Sequence, residues 1–310
     1  MTRVERSQLR GLGRFDAIVL TSGLWFLGKF VRFSLPPLFE RIAGVYQISP
    51  AGLGTAFSGL LLVYAALQFP SGLLADRFSS VTVIAAGASI AALGALALAF
   101  DAPLVVLFGA MLTIGAGTGT LNTVGIPLLS RTYPDQTGRA LGVFDTFGAF
   151  GGVAAPAVVV VFAGLPGVFG AGWRTTFLLA SVVGIGVTVA FVARVPARLP
   201  DDDDDGTNTD ERIPYWAYAA MFREWRFSTF TLVTILFSFA YNGITAFLPL
   251  YLTREAGLGS ATASLLFSVL FAVSLIQLLT GEVSDRVGTL PVIAVTIGLA
   301  TVGLASVVLL

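Results

Sequence analysis

The stretch Gly-Leu-Leu-Ala-Asp-Arg-Phe-Ser-Ser, residues 72–80, lies between two long apolar runs and recurs in altered form as Gly-Glu-Val-Ser-Asp-Arg-Val-Gly, residues 281–288. The offset is 209 residues, from Gly72 to Gly281, and the likeness continues downstream, where Val-Ile-Ala follows each copy. Each copy has a Gly at the end of a hydrophobic segment and an Asp-Arg pair where the chain leaves it. A long-range repeat in a hydrophobic chain predicts two related halves of one membrane domain.

The composition indicates a polytopic membrane protein. Of the 310 residues, 55% are hydrophobic and only 12% are charged, with a mean hydropathy of +0.87, whereas a soluble domain of this size needs more polar surface. The formal net charge of zero argues against a nucleic-acid partner. The sequence contains no cysteine and no histidine, so disulfides, thiolate chemistry and histidine-based metal or acid–base sites are excluded, and no cofactor is predicted.

Lysine is scarce, since Lys29 is the sole example in the chain. Scarce lysine beside an aspartate run is typical of a halophilic source such as a halophilic archaeon, although a GC-rich genome also favours arginine.

Nine apolar runs are each near the ~20 residues that a helix needs to cross the hydrocarbon core. Helices are the only option, because an open strand leaves backbone groups unpaired in lipid and the alternation of a barrel is absent. The sequence therefore predicts an all-α polytopic fold with six helices in residues 1–198, a linker in residues 199–226 and three helices in residues 227–310. The predicted spans are about 15–37, 52–75, 81–100, 104–129, 140–164, 174–196, 227–252, 261–282 and 289–310.

The arginines are distributed unequally between the two sides of the predicted membrane domain. With a cytoplasmic N-terminus, thirteen arginines fall on the inner side and only Arg41, Arg174 and Arg254 on the outer side. This asymmetry predicts a multi-pass protein of the plasma membrane with its N-terminus in the cytoplasm. Both Asp-Arg turns then lie on the cytoplasmic face.

The linker contains five consecutive aspartates, residues 201–205, and cannot bury apolar surface. A solvated loop is the simple interpretation, and a regulatory docking element is the alternative. The aromatic and arginine-rich segment 214–227 predicts a helix in the headgroup region. Since the second half lacks counterparts of spans four to six, we expect either a fragment or a naturally short protein.

Six helices, a long cytoplasmic loop and a recurring Gly-x-x-x-Asp-Arg turn after spans two and eight resemble the major facilitator superfamily. Further similarities are Gly138-Arg139-Ala-Leu-Gly142 before span five, a Gly/Pro-rich span five and Gly172-Trp173-Arg174 at the start of span six. The resemblance implies two helical bundles around a midplane site. One departure is Ser79-Ser80, which stands where the family often has Gly followed by basic residues.

Lys29 and Arg32 are the candidate substrate-binding cations, because both lie within the first span. A cation near the bilayer centre costs roughly 2.5–3.5 kcal/mol on insertion scales, so it normally faces a cavity or a partner. Every carboxylate lies near the end of a predicted span or outside the spans, so we expect no intramembrane acid to pair with them. An anionic substrate then supplies the missing charge. The spacing from Lys29 to Pro37 is similar to that in organic-anion carriers of the superfamily.

Simpler interpretations remain for both cations. Arg32 can extend to the outer headgroups, and Lys29 can bind helix carbonyls or an acid elsewhere. Other polar residues predicted at depth either line the cavity or bond between helices; the candidates for substrate binding are Gln68, Asn122, Tyr241, Asn242 and Gln277.

The Asp-Arg turns are predicted gating elements, because such pairs can hold the inner face shut and separate when it opens. A plain turn with positive-inside anchors is the alternative. The predicted gating residues are Gly72, Asp76, Arg77, Arg139, Gly281, Asp285 and Arg286.

Taken together, these patterns predict a secondary transporter of a small organic or phosphorylated anion that works by alternating access, with the lipid bilayer as its environment. Proton or sodium coupling is left open. The alternative is a non-transporting membrane sensor or assembly partner with the acidic loop as its docking element. An enzyme is disfavoured because no catalytic constellation is present.

Overall fold

A computed structural model of the chain describes residues 15–167, 170–199, 220–274, 276 and 287–309. Most of the predicted linker, Gln277 and the second copy of the repeat, with Gly281, Asp285 and Arg286, lie outside the described residues. The helices are α1 (Asp16–Phe33), α2 (Phe39–Tyr46), α3 (Pro50–Phe78), α4 (Ser80–Leu98), α5 (Leu104–Thr132), α6 (Thr137–Ala163), α7 (Gly172–Arg194), α8 (Trp225–Arg254), α9 (Ser260–Ser274) and α10 (Thr289–Leu309).

Seven helical segments are long and apolar enough to cross a membrane, and α1 with α2 forms one of them, Asp16–Tyr46. Two shorter apolar helices, Ser260–Val273 and Leu290–Gly303, fall in the predicted eighth and ninth spans. The prediction of an all-α polytopic membrane protein is confirmed. The end of the bundle that carries Arg77, Arg131, Arg139, Arg194 and Arg198 is called the arginine-rich end below, and the other is called the opposite end.

The first span is longer than predicted and is interrupted near its end. Helix α1 ends at Phe33, and a 3-10 turn, Pro36–Leu38, leads into α2. The two consecutive prolines, Pro36 and Pro37, have no backbone N–H to continue the α-helical ladder. Helix α2 follows and is terminated at Gln47, whose backbone is in the left-handed conformation with a φ of 53°. The predicted boundary at residue 37 was therefore wrong.

The Asp-Arg pair of the first repeat copy is helical, which corrects the prediction that the chain leaves the helix before it. Helix α3 runs through Asp76 and Arg77 to Phe78, and the reversal takes place at Ser79 alone, with φ of 130°. The Ser79 hydroxyl accepts a hydrogen bond from the Thr82 amide and caps α4. A positive φ of this kind favours glycine, which explains why glycine is common at this position in the resembling family.

Small residues bring the helices of the first bundle into backbone contact. A Cβ at Gly119 of α5 would lie 2.6 Å from the carbonyl oxygen of Tyr64 on α3, and Gly117 meets α4 at Gly87 and Ala91 in the same way. The Gly115-Ala-Gly117-Thr-Gly119 run is thus a packing surface in the middle of a helix.

Helices α8 and α9 pack on the first six spans near the opposite end. Phe271 of α9 contacts Gly152 of α6 and lies 4.5 Å, centroid to centroid, from the Phe33 ring. Phe247 of α8 fits against Gly54 of α3. By contrast, the half of α8 nearer the arginine-rich end, residues 225–240, has no buried residue. The contacts between the two parts of the chain are therefore concentrated at the opposite end.

Candidate functional site

Lys29 and Arg32 occupy the middle of the first span. At ~1.5 Å per residue, they lie about 20 Å and about 24 Å from Asp16 at the start of α1. Lys29 is half-buried, and Arg32 is only 4% exposed. Two cations less than one helical turn apart, in a segment that crosses the membrane, form the most highly charged feature at this depth among the described residues.

Arg32 is enclosed by aromatic rings. Its guanidinium carbon lies 4.1 Å from the centre of the Tyr64 ring, 5.2 Å from that of Phe33 and 5.9 Å from that of Trp25. The electron-rich faces of these rings attract a cation but do not neutralise it. Arg32 makes no ion pair with any carboxylate that the structure describes, and its buried Nε has no hydrogen-bond partner.

This environment rules out one of the simple interpretations of Arg32. A side chain that extends to the outer headgroups leaves its guanidinium in water, whereas this one is buried against α3. Its burial also leaves a donor unsatisfied, which is costly in a low-dielectric setting. Trp25, Lys29, Arg32 and Tyr64 are called the cationic site below.

Tyr64 is held in the cationic site by backbone packing. Gly119 allows α5 to approach the Tyr64 carbonyl closely, as described above, and Tyr64 lies about 21 Å from the arginine-rich end of α3. This depth matches that of Lys29 and Arg32. Neither Tyr64 nor Trp25 was identified as a functional residue from the sequence, because an aromatic residue in an apolar span has no distinguishing pattern.

Lys29 contacts one aromatic ring and is influenced by two side chains of opposite charge. Its ammonium lies 5.0 Å from the centre of the Trp25 ring, one turn closer to the arginine-rich end. It is repelled by Arg32 and attracted by Asp145 of α6. The expectation that no intramembrane acid is available was therefore wrong: α6 begins at Thr137, so Asp145 lies about 12 Å inside the helix.

The other predicted binding residues differ in their contacts. Asn122 of α5 has a buried Oδ1 without a hydrogen-bond partner. Tyr241 of α8 is within electrostatic reach of Arg32, which links the second part of the chain to the cationic site. Asn242 donates its amide to the carbonyl of Ser238 within its own helix. Gln68 is half-buried on α3, one turn from Tyr64 towards the arginine-rich end.

The described members of the predicted gating set lie on the surface of the arginine-rich end. Asp76, Arg77 and Arg139 are exposed, and none of them forms an ion pair with another described residue. Arg77 lies over the neighbouring Phe78 ring at 5.5 Å. Among the described residues, no side chain lies within 4 Å of a Cβ placed at Gly72. The gating role stays a prediction.

The ion pairs found among the described residues connect the ends of helices. Arg174 Nη2 donates to Asp101 Oδ1 at 2.6 Å, which joins the α4–α5 loop to the start of α7. Arg194 and Arg198 approach Asp16 at 3.8 Å and 3.7 Å and join the end of α7 to the start of α1. Within the described residues, no group of three acidic side chains could hold a metal ion.

Comparison with protein families adds a match that covers most of the chain. The model of the Major Facilitator Superfamily matches residues 21–310. A crystal structure of a bacterial homologue of the human lysosomal transporter Spinster, in an inward-facing and unoccupied conformation, superposes with a TM-score of 0.70 at 19% identity. That match covers 88% of this chain and 63% of the other, and at this identity it shows the fold alone.

Curated relatives are transporters of different solutes. A probable sulfoacetate transporter of Cupriavidus necator is 25% identical over 54% of this chain and 38% of its own length. A hexuronate transporter of Bacillus subtilis is 25% identical over 77% of this chain and 57% of its own length. An ectoine/proline transporter of Corynebacterium glutamicum is 27% identical over 85% of this chain and 55% of its own length. The chain spans about half the length of these relatives.

Proposed function

Because the chain belongs to the major facilitator superfamily, we propose that it is a secondary transporter of a small organic or phosphorylated anion, which binds at the cationic site. The observation that carries this proposal is the burial of Arg32, which is 4% exposed and has an unpartnered Nε and no described carboxylate as an ion-pair partner. An anionic ligand would supply both the missing charge and the missing acceptor.

The cost of burying a cation supports this assignment. An intramembrane arginine is expensive and is normally compensated, and aromatic faces offset only part of the cost. A carboxylate, sulfonate or phosphate oxygen bound to Arg32 and Lys29 would form charge-assisted hydrogen bonds, which are roughly twice as strong as neutral ones. Sulfoacetate and hexuronates, named for two relatives, have such groups.

The arrangement of α8 and α9 supports transport by alternating access. These helices contact the first six spans near the opposite end, while the half of α8 nearer the arginine-rich end is exposed. We therefore expect the cationic site to be reached from the arginine-rich end, which is the predicted cytoplasmic side, and the predicted gating residues to approach one another when that side closes. The relative movement of two bundles around a midplane site is the usual mechanism for such repeats.

Uptake by Lys29→Met tests the proposal. The protein is reconstituted in proteoliposomes and supplied with radiolabelled sulfoacetate or glucuronate, a hexuronate. We expect the wild type to accumulate at least one of these anions and Lys29→Met to lose the uptake, because the variant cannot provide the ammonium that binds the anion. Arg131→Met, which removes an exposed arginine of the arginine-rich end, is the matched control and keeps the uptake.

Two results would contradict the proposal. Undiminished anion uptake by Lys29→Met would remove the cationic site from substrate binding. Anion binding without any uptake by the wild type would favour the alternative of a non-transporting sensor. Elution of Lys29→Met as a single peak in detergent, at the wild-type volume, shows that the variant is folded.

A further inference from the structure

Asp145 is exposed and lies at the edge of the α6 face that packs on α1. Gly148 follows it at a spacing of three residues, which places the two on adjacent positions of the helix surface. Gly148 is in close contact with the Trp25 indole of α1, and Gly151 with the Phe26 carbonyl. Phe144, the residue before Asp145, stacks on Trp25 with ring centres 5.7 Å apart. Asp145 is therefore next to the Trp25 end of the cationic site.

The Lys29 side chain extends in the direction of Asp145. Helical side chains tilt towards the N-terminus of their helix, and the Lys29 ammonium accordingly lies over the Trp25 ring at 5.0 Å. Asp145 attracts this ammonium, yet the two groups do not form a direct ion pair within 4.0 Å. Lys29 is thus attracted to a carboxylate without being bound to it.

The three charges are arranged in order of depth. Asp145 is solvent-accessible and lies about 12 Å from the start of its helix, Lys29 is half-buried at about 20 Å, and Arg32 is buried at about 24 Å. Tyr241 of α8 is also within electrostatic reach of Arg32. An anion that enters from the arginine-rich end meets Asp145 first and the two cations afterwards.

We propose that Asp145 is the counter-ion of Lys29 when the site is empty, and that the anionic group of the substrate replaces it. This inference rests on the proposed function, since it requires Lys29 to bind the anion. The Lys29 ammonium cannot serve a bound anion and Asp145 equally, because the two anionic groups repel each other at short range. Asp145 then lowers the affinity of the site and favours release of the substrate. It acts through Lys29 as a positioning residue.

The experiment compares Asp145→Asn with the wild type in two measurements, the equilibrium Kd of sulfoacetate or glucuronate and the KM and kcat of uptake. Without the competing charge, we expect the Kd and KM to fall by about 5-fold or more, while kcat does not rise. Asp145→Glu keeps the charge and is expected to retain wild-type affinity. Asp135→Asn, which removes an exposed carboxylate before α6, is the matched control and leaves all three values unchanged.

The double variant Lys29→Met/Asp145→Asn separates competition from a structural role. If Asp145 acts through Lys29, Asp145→Asn does not raise the residual anion affinity of Lys29→Met. An unchanged or weakened anion affinity in Asp145→Asn would overturn the inference. The same increase in anion affinity on adding Asp145→Asn to the wild type and to Lys29→Met would also overturn it. If Asp145→Asn does not fold, Asp145→Ala provides the same test: a lower Kd than that of the wild type supports competition, and an unchanged or higher Kd overturns the inference.

The two proposals fail in different ways. Loss of uptake by Lys29→Met together with an unchanged Kd in Asp145→Asn rejects only the role of Asp145. Retained uptake by Lys29→Met rejects the proposed binding site itself.

Discussion

Two arginines of this chain are equally buried and differ in what neutralises them. Arg174 and Arg32 are each 4% exposed. Arg174 donates to the Asp101 carboxylate at 2.6 Å, whereas Arg32 is enclosed by Tyr64, Phe33 and Trp25 and has no carboxylate partner among the described residues. The paired arginine joins the α4–α5 loop to the start of α7. Arg32, without a carboxylate partner among the described residues, lies at mid-membrane depth, where an anionic ligand could pair with it.

Under the proposed function, the difference separates a structural cation, Arg174, from a binding cation, Arg32. The Asp101 side chain is 81% exposed, but breaking its ion pair would leave the buried Arg174 charge without compensation, which is destabilising. Removing a cation that has no counter-ion relieves part of the desolvation cost of burial and costs mainly packing. The same substitution at the two arginines is therefore expected to change different properties of the protein.

The largest effect is expected for Arg32→Gln measured beside Arg174→Gln. Arg32→Gln should weaken anion binding by about 10- to 100-fold, since a hydrogen bond to a charged group contributes about 1.5–3 kcal/mol, and should not lower the unfolding temperature. Arg174→Gln should lower the unfolding temperature and leave the Kd unchanged. Anion binding by isothermal calorimetry and unfolding by differential scanning fluorimetry in detergent provide the two measurements, and the same pattern in both variants would contradict the distinction.

A smaller effect is expected at Tyr64, which holds the guanidinium of Arg32 at 4.1 Å from its ring centre. Tyr64→Leu removes a cation–π contact of about 1–2 kcal/mol and should raise the Kd of the anion by about 5- to 30-fold. Tyr64→Phe keeps the ring and should leave the Kd close to that of the wild type. If Tyr64→Phe and Tyr64→Leu weaken binding equally, the phenolic hydroxyl rather than the ring face contributes to the site.

The smallest effect is expected at Asp16, whose contacts with Arg194 and Arg198 are 3.8 Å and 3.7 Å long and partly exposed. Exposed pairs contribute about 0.2–1 kcal/mol and are screened by salt. Asp16→Asn should therefore shift the unfolding temperature less than Asp101→Asn, which weakens the partner of a buried arginine. The order is checked by thermal unfolding of both variants at low and high salt, and a reversed order would show that burial of Arg174 does not control the stability of its pair.

The sequence predicted the depth of Lys29 and Arg32 because a count along an apolar run translates directly into height in a membrane helix. It did not identify Asp145 as an acid within electrostatic reach of Lys29. That residue lies five residues inside the predicted span of about 140–164 and was counted as near its end, whereas α6 begins three residues earlier, at Thr137. Helix boundaries depend on tertiary contacts and caps, so a carboxylate close to a predicted boundary can lie on either side of it. The predicted end of α3 was wrong in the same way: the span was expected to end at about residue 75, before Asp76 and Arg77, whereas α3 continues to Phe78.

What the sequence by itself determined is the class of protein, the number of apolar segments and the presence of two cations in the first span. These properties follow from composition and from the thickness of the bilayer, which constrain every spanning helix in the same way. Only the tertiary structure decided that Arg32 is buried against Tyr64 rather than extended to the headgroups, and that Asp145 approaches Lys29. Both depend on which helices are neighbours. Here the glycines of α5 allow that helix to approach α3 closely, and the glycines of α6 allow that helix to approach α1 closely.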